Sequence, residues 1–131
     1  MPRVKHAAVA SVIALAFVAI GTGLDAHHSS APFNMQTERT LAGTVKQVDW
    51  TNPHIWIWVD VQNDKGGVDT WGIEGMSPNY LERRGWTKST LKAGDKISVS
   101  IRPMRDGSTA GMFMRATLAD GKVLTPAGAQ K

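Results

Sequence analysis

Between His54 and Val61 every second residue is aliphatic, a pattern with a period of two residues. The aliphatic positions are Ile55, Ile57, Val59 and Val61. The positions between them are His54, Trp56, Trp58 and Asp60. Strict alternation predicts a β-strand whose aliphatic face packs against a core. The opposite face carries two large aromatic rings and a histidine, which solvent-facing strand positions seldom carry.

Four other segments have strand patterns and are separated by turn residues. They are Thr40–Trp50, Val68–Glu74, Lys96–Arg102 and Met112–Leu118, with a short tail strand at Lys122–Leu124. The alternation of the first segment breaks between Val45 and Val48, and Gly43 lies inside it, which predicts a bulge or a sharp bend. In the segment that ends at Glu74, Trp71 and Ile73 are predicted core residues.

A short helix is predicted over residues 77–85. Ser77 is a favourable N-cap, Pro78 suits the first helical position, and Gly85 suits a left-handed stop. Five strands with one helix between the third and the fourth are the order of an OB-fold. The predicted fold is therefore all-β with one short helix, an OB-fold-like five-stranded Greek-key barrel. A generic small β-sandwich is the alternative.

The N-terminus has the outline of a secretory signal peptide. Arg3 and Lys5 precede a run of apolar or small residues from 7 to 20, which is shorter than the ~20 residues that span a bilayer. Cleavage after Ala26 is preferred, although Gly21-Thr22-Gly23 fits the small-x-small rule better. We expect an exported protein, periplasmic or secreted, with no stable membrane insertion after cleavage.

The remaining chain divides into an N-terminal arm (27–39), the OB-fold-like domain (40–124) and a flexible C-terminal tail (125–131). Removing Arg3, Lys5 and Asp25 leaves 13 basic and 10 acidic residues, a net charge of about +3. The charges are scattered, so no nucleic-acid footprint is predicted. The chain has no cysteine, which excludes disulfides, thiolate chemistry and cysteine metal sites.

Two longer motifs and a short one carry a family resemblance. They are A-H-H-S at Ala26–Ser29, W-T-N-P-H at Trp50–His54 and S-P-N-x-L-x-R-x-G-W at Ser77–Trp86. These residues resemble a bacterial family of small exported proteins classed as a domain of unknown function, over about residues 26–124. The chain is more distantly similar to bacterial periplasmic OB-fold stress proteins. The resemblance implies an exported bacterial protein and supplies no function.

The histidines suggest a copper site whose form depends on signal cleavage. Cleavage after Ala26 would make His27 the first residue, so that its α-amine and imidazole chelate one ion. A second imidazole, from His54 or from the adjacent and more strained His28, would complete a planar three-nitrogen set. Such a set favours Cu(II) over Zn(II) and resembles the histidine brace of exported copper proteins. Glu74 is a candidate partner or ligand beside His54. The alternative is an exposed pair of N-terminal histidines and a turn histidine bonded to backbone.

The face with Trp56 and Trp58 has two interpretations. OB-folds bind ligands across strands two and three, where tryptophans stack on flat groups. Alternatively, the N-terminal arm, the C-terminal tail, a second subunit or a partner protein covers the rings. Glu74 belongs to the same region, and export argues against nucleic acid as the ligand.

No catalytic array is recognisable, because His54 is the only histidine inside the domain and no nucleophile motif accompanies it. The leading hypothesis is a non-catalytic exported OB-fold protein that binds Cu(II) through His27 and His54, with its arm over the tryptophan face. The alternative is a metal-free binding module whose aromatic face takes a small ligand, a protein partner or a second copy. A structural or stress-response protein without a ligand is the third class.

Overall fold

The computed structural model describes residues 30–130. The predicted signal peptide, its predicted cleavage site, His27 and His28 lie outside the described residues. Within residues 30–130, no helix has the length and apolar character needed to cross a membrane.

The described residues form seven strands and one short helix. In chain order they are β1 (Arg39–Asp49), β2 (Trp56–Gln62), β3 (Val68–Glu74), α1 (Pro78–Glu82), β4 (Lys96–Pro103), β5 (Ala110–Leu118), β6 (Val123–Thr125) and β7 (Gly128–Gln130). The strand predictions are confirmed to within two residues at nearly every end, and β3 has the predicted bounds.

Five of these strands close a barrel. The antiparallel order is β3-β2-β1-β4-β5, and β3 pairs in parallel with β5, where Gly72 lies opposite Ala110. The first half of β1, residues 39–44, pairs with β4, while residues 44–49 pair with β2. The register of the second pairing shifts between Val45 and Gln47, as the broken alternation predicts. The OB-fold-like barrel with one short helix is confirmed, and the β-sandwich alternative is wrong.

The inward faces of the strands form one core. Ile57, Val59 and Ile73 are fully buried, and Trp71 is 5% exposed. The confirmed alternation therefore places the other side of β2 on the outside of the barrel. Trp86 packs edge-on against Phe113 with ring centroids 5.7 Å apart, which is a favourable aromatic geometry.

The helix is shorter than predicted. It ends at Glu82 because the chain then turns through Gly85, which has φ of +87°. The Trp86 N–H donates to the Leu81 carbonyl at 3.1 Å and the Gly85 N–H donates to the Glu82 carbonyl at 3.1 Å. This is the Schellman pattern of bonds, which satisfies the last carbonyls and stops the helix early. Ser77 caps the other end as predicted, its Oγ accepting from the Tyr80 N–H at 3.3 Å.

The described part of the N-terminal arm lies along the connection between β4 and β5. Phe33 is 7% exposed and forms a bridge to Met104, and the Asn34 N–H donates to the Pro103 carbonyl at 2.8 Å. The Arg105 N–H donates to the Pro32 carbonyl at 2.9 Å. Residues 32–34 are therefore held at this connection, whereas the leading hypothesis from the sequence places the arm over the tryptophan face. The reason is that the Phe33 side chain is buried where its backbone pairs with Met104.

The C-terminal residues also differ from the sequence prediction. Residues 128–130 form β7, which pairs with β6, where the sequence predicts a flexible tail over 125–131. The Trp86 indole N–H donates to the Thr125 carbonyl at 3.0 Å, and the Thr125 hydroxyl donates to the Gly128 carbonyl at 3.0 Å. These bonds tie the tail to the barrel.

Candidate functional site

His54 and Glu74 meet at one end of the β2–β3 hairpin. Trp56 pairs with Glu74, and the ladder continues past the strand ends, because the Ile55 carbonyl accepts from the Gly75 N–H at 2.9 Å. His54 follows a turn in which the Asn52–Pro53 peptide bond is cis. This register places His54 diagonally across from Glu74 on the same face, a spacing that long side chains bridge. The His54 Nδ1 lies 2.6 Å from the Glu74 Oε1.

This contact sets the chemistry of the imidazole. The side chains of His54 and Glu74 are 17% and 25% exposed, so the pair is shielded but reachable. A carboxylate accepts only, so Nδ1 carries the proton, and in neutral His54 the lone pair is then on Nε2. The sequence names Glu74 as a candidate partner, and the structure brings the two residues together.

The pair supplies two side chains that can bind a metal. Within residues 30–130 there is no cluster of three or more His, Asp or Glu side chains that would hold an ion. His27 and His28 lie outside the described residues, so the predicted three-nitrogen set stays a prediction.

Trp56 and Trp58 lie side by side on the outer face of β2. Their ring centroids are 5.9 Å apart and their planes differ by 22°. The Trp58 Nε1 donates to the Asp49 Oδ2 at 2.8 Å, and its ring lies over Gly72, where a Cβ atom would come within 2.9 Å of the ring. Glycine at this position lets the indole lie flat on β3, and both tryptophans stay partly exposed.

Three carboxylates surround these rings. Asp49 and Glu74 lie on either side of Trp56 in the strand register, and Asp60 accepts from the Thr70 hydroxyl at 2.6 Å. We call Asp49, Trp56, Trp58, Asp60 and Glu74 together the aromatic–acidic face. Sequence reasoning singled out only Glu74 among the three acids. The alternation of β2 places Asp60 outside, whereas Asp49 can be placed there only when the register past the bulge is known.

A second polar cluster joins the arm to the barrel. Glu38 accepts from the Ser100 hydroxyl and from the Arg115 guanidinium, the latter at 3.0 Å. The Ser100 hydrogen bond, followed by the charges of Arg115 and Arg102, holds the pKa of the Glu38 carboxyl below its usual value. Glu38 also borders a cavity of about 560 Å³ with Met114. No sequence signal links these residues, because Glu38 and Ser100 are 62 positions apart.

Comparison with known proteins gives one solved structure and one family. No curated protein sequence matches the chain significantly. The fold is similar to the crystal structure of the mitochondrial single-stranded DNA binding protein Rim1 from S. cerevisiae, with a TM-score of 0.46 and 11% identity, over 63% of this chain and 94% of that one. The model of a family of unknown function, DUF6152, matches residues 14–115. This match covers more than half of the chain and confirms the resemblance noted in the sequence, so the protein belongs to the family of unknown function DUF6152.

Proposed function

We propose that the protein is an exported, non-catalytic OB-fold protein that binds Cu(II) through His54 and the N-terminal histidine His27. The observation that supports this most is the 2.6 Å contact between His54 and Glu74. A histidine that ligates a metal almost always donates its other ring N–H to a carboxylate, a carbonyl or water. Glu74 in this position orients the His54 ring and fixes which of its two nitrogens carries the proton.

The length of the arm allows His27 to reach this site. The arm is anchored at Phe33, which bridges to Met104. The Met104 N–H donates to the Ala110 carbonyl at 3.1 Å, and Ala110 pairs with β3 two residues before Glu74. Three strand spacings and two residues of rise separate the Phe33 backbone from that of Glu74 by roughly 15 Å, and the Glu74 carboxylate contacts His54. The six residues from His27 to Phe33 extend to about 20 Å, which is enough.

The donor set determines the metal. The α-amine and imidazole of His27 with the second ring nitrogen of His54 give three nitrogen donors, which suit Cu(II) in a planar arrangement. His28 is the competing imidazole, but it follows His27 directly and would chelate with strain. In this proposal Glu74 holds His54 by the ring nitrogen that faces away from the ion.

The test begins with the mature N-terminus, determined by intact mass after export. Cu(II) is then titrated by calorimetry into the mature form and into a form with one additional N-terminal residue. We expect sub-micromolar binding to the first form and much weaker binding to the second. Equal binding to both forms, or no binding to either, would contradict the site.

Two substitutions then test His54 as a copper ligand and Glu74 as the residue that orients it. We expect His54→Ala to weaken Cu(II) binding strongly, and Glu74→Gln to weaken it about tenfold, since supporting partners of metal ligands contribute on that scale. Glu82→Gln on the exposed end of α1 is the control and leaves the affinity unchanged. Unchanged affinity in His54→Ala would leave His28 as the second imidazole.

Export and the absence of nucleic-acid binding are part of the proposal. Arg3, Lys5 and the apolar run 7–20 support a cleaved signal, and cell fractionation with the mass of the mature chain tests it. On β2 and β3, where OB-folds bind oligonucleotides, Asp60 and Glu74 would repel phosphates. We expect no change in the fluorescence anisotropy of labelled single-stranded DNA at micromolar protein, and salt-sensitive binding would contradict this.

A further inference from the structure

We infer that the aromatic–acidic face binds an arginine side chain of a partner protein. This inference goes beyond copper binding and does not depend on it. The face lies on β2 and its two neighbouring strands, and it combines two adjacent indole rings with three carboxylates.

The rings are held in place before any ligand arrives. Trp58 is fixed by its bond to Asp49 and by the flat seat over Gly72, and Trp56 stacks beside it. Ordering side chains on binding costs free energy, and this cost is small where the side chains are already fixed. The two indoles therefore form a rigid platform.

The charge of the face selects a cation. The chain as a whole has a formal net charge of +4, yet the charged residues at outward positions of β2 and β3 are Asp60 and Glu74, and Asp49 adjoins them on β1. Lys46 lies at the bulge in β1. The face of an indole ring attracts cations as well. Within residues 30–130, the cation–π contacts are those of Arg39 with Trp71 and of Arg84 with Tyr80.

The shape of the face and the chemistry of its groups favour arginine in a protein segment. Small organic ligands are usually enclosed in a cavity. The cavities of about 440 Å³ beside Gly43 and of about 560 Å³ beside Glu38 are lined by other residues. A planar guanidinium stacks on an indole and at the same time donates two parallel bonds to one carboxylate, which an ammonium group does not do. The Asp49 carboxylate accepts from the Trp58 Nε1 at 2.8 Å and from the Gln47 Nε2 at 2.6 Å, so it is fixed beside the indole with a further lone pair on each oxygen for a guanidinium.

The experiment uses the mature protein with a metal chelator, so that copper binding does not affect it. The probe is the peptide acetyl-Gly-Arg-Gly-Arg-Gly-amide, and the readout is the indole N–H resonances of Trp56 and Trp58 in NMR titrations. We expect both resonances to shift with saturation. The matched peptide contains citrulline, which keeps the planar shape without the charge and is expected to shift neither resonance. Free L-arginine amide is expected to bind more weakly than the peptide.

Two carboxylate variants locate the charge. Asp49→Asn keeps an acceptor for the Trp58 N–H but removes the charge, and we expect about fivefold weaker peptide binding, a typical effect of one cation–π or exposed ion contact. Asp120→Asn, in a turn where the Asp120 carboxylate accepts from the Lys122 N–H at 2.9 Å, leaves binding unchanged.

Four results would overturn the inference: no shift at millimolar peptide, equal shifts with the citrulline peptide, unchanged binding in Asp49→Asn, or free L-arginine amide binding as tightly as the peptide. A dimer in sedimentation experiments that buries the two indoles would also overturn it, because a second copy would then be the occupant of the face.

Discussion

Gly72 determines where the Trp58 ring lies. The ring covers this residue so closely that a Cβ atom would meet it at 2.9 Å, so Gly72→Ala must displace the indole. We expect a loss of about 1–3 kcal/mol in the free energy of unfolding, measured by urea denaturation, because crowding of a packed site costs that much. The Trp58 fluorescence should shift as well. Gly67→Ala is the control, since a Cβ there would be 3.4 Å from its nearest neighbour, Asn63. Equal stability of the two variants would contradict this account.

Glu38 gives the protein a dependence on acid pH. Its pKa is lowered first by the Ser100 hydroxyl and then by Arg115 and Arg102. A carboxyl with a lowered folded pKa adds stability above its unfolded value, which is near 4.5, and this stability is lost as pH falls through the folded pKa. We therefore expect the free energy of unfolding of Glu38→Gln to be lower than that of the unchanged protein at pH 7 and nearly equal to it at pH 2. Urea denaturation at both pH values measures the difference.

The Ser100 hydroxyl is the partner that decides this behaviour. In Ser100→Ala the pKa of Glu38 should rise toward its usual value, as measured from the carboxyl carbon resonance during a pH titration. A titration midpoint that does not move would assign the lowered pKa to the arginines alone.

Single residues show where sequence reasoning succeeded and where it could not. The alternation of β2 sufficed to place His54, Trp56 and Trp58 on the outer face, because side-chain direction in a strand follows from position alone. The contact of Trp58 with Asp49 depends on the β1–β2 register, which the bulge in β1 shifts, and the contact of His54 with Glu74 depends on the β2–β3 register. The contact of Glu38 with Ser100 depends on the whole fold.

At the level of elements, the β6–β7 hairpin is the largest departure from the sequence prediction. Residues 128–130 form a three-residue strand without an alternation pattern to reveal it. The hairpin is linked to the core because the buried Trp86 donates to the Thr125 carbonyl. The helix was predicted in the right place, but its length depended on the bonds around Gly85.

Removal of residues 126–131 tests the structural role of this hairpin. We expect the deletion to lower the free energy of unfolding by about 1–2 kcal/mol, since it removes β7 and exposes the buried Leu124. Thermal unfolding followed by circular dichroism measures the change. Removal of Lys131 alone is the control. A deletion variant as stable as the complete chain would show that residues 126–130 behave as a flexible tail.

For the whole molecule, the decisive feature is the parallel pairing of β3 with β5, which closes the barrel. Strand number and order were enough to predict the OB-fold, but not the contacts that closure makes between distant segments. Closure brings the connection between β4 and β5, with Phe33 beside Met104, close to β3. The proposed reach from His27 to His54 depends on this arrangement.

Copper binding at such a site would stabilise the entire fold. A ligand that binds only the native state at 100 times its dissociation constant adds about 2.7 kcal/mol. We expect Cu(II) to raise the melting temperature of the mature protein and to leave the melting temperature of the His54→Ala variant unchanged. Calorimetric scans with and without Cu(II) measure both. The same shift in both proteins would place the bound copper elsewhere.

The pairing of Trp56 with Trp58 has an optical consequence. Two indoles 5.9 Å apart, with planes inclined by 22°, couple their excited states. Because the hydrogen bond to Asp49 and the seat on Gly72 fix one of them, this coupling should give a sharp couplet in the ultraviolet circular dichroism spectrum. The protein therefore carries an intrinsic spectroscopic reporter beside the proposed copper site at His54 and within the aromatic–acidic face. Each ligand that approaches the aromatic–acidic face would change the couplet without any added label.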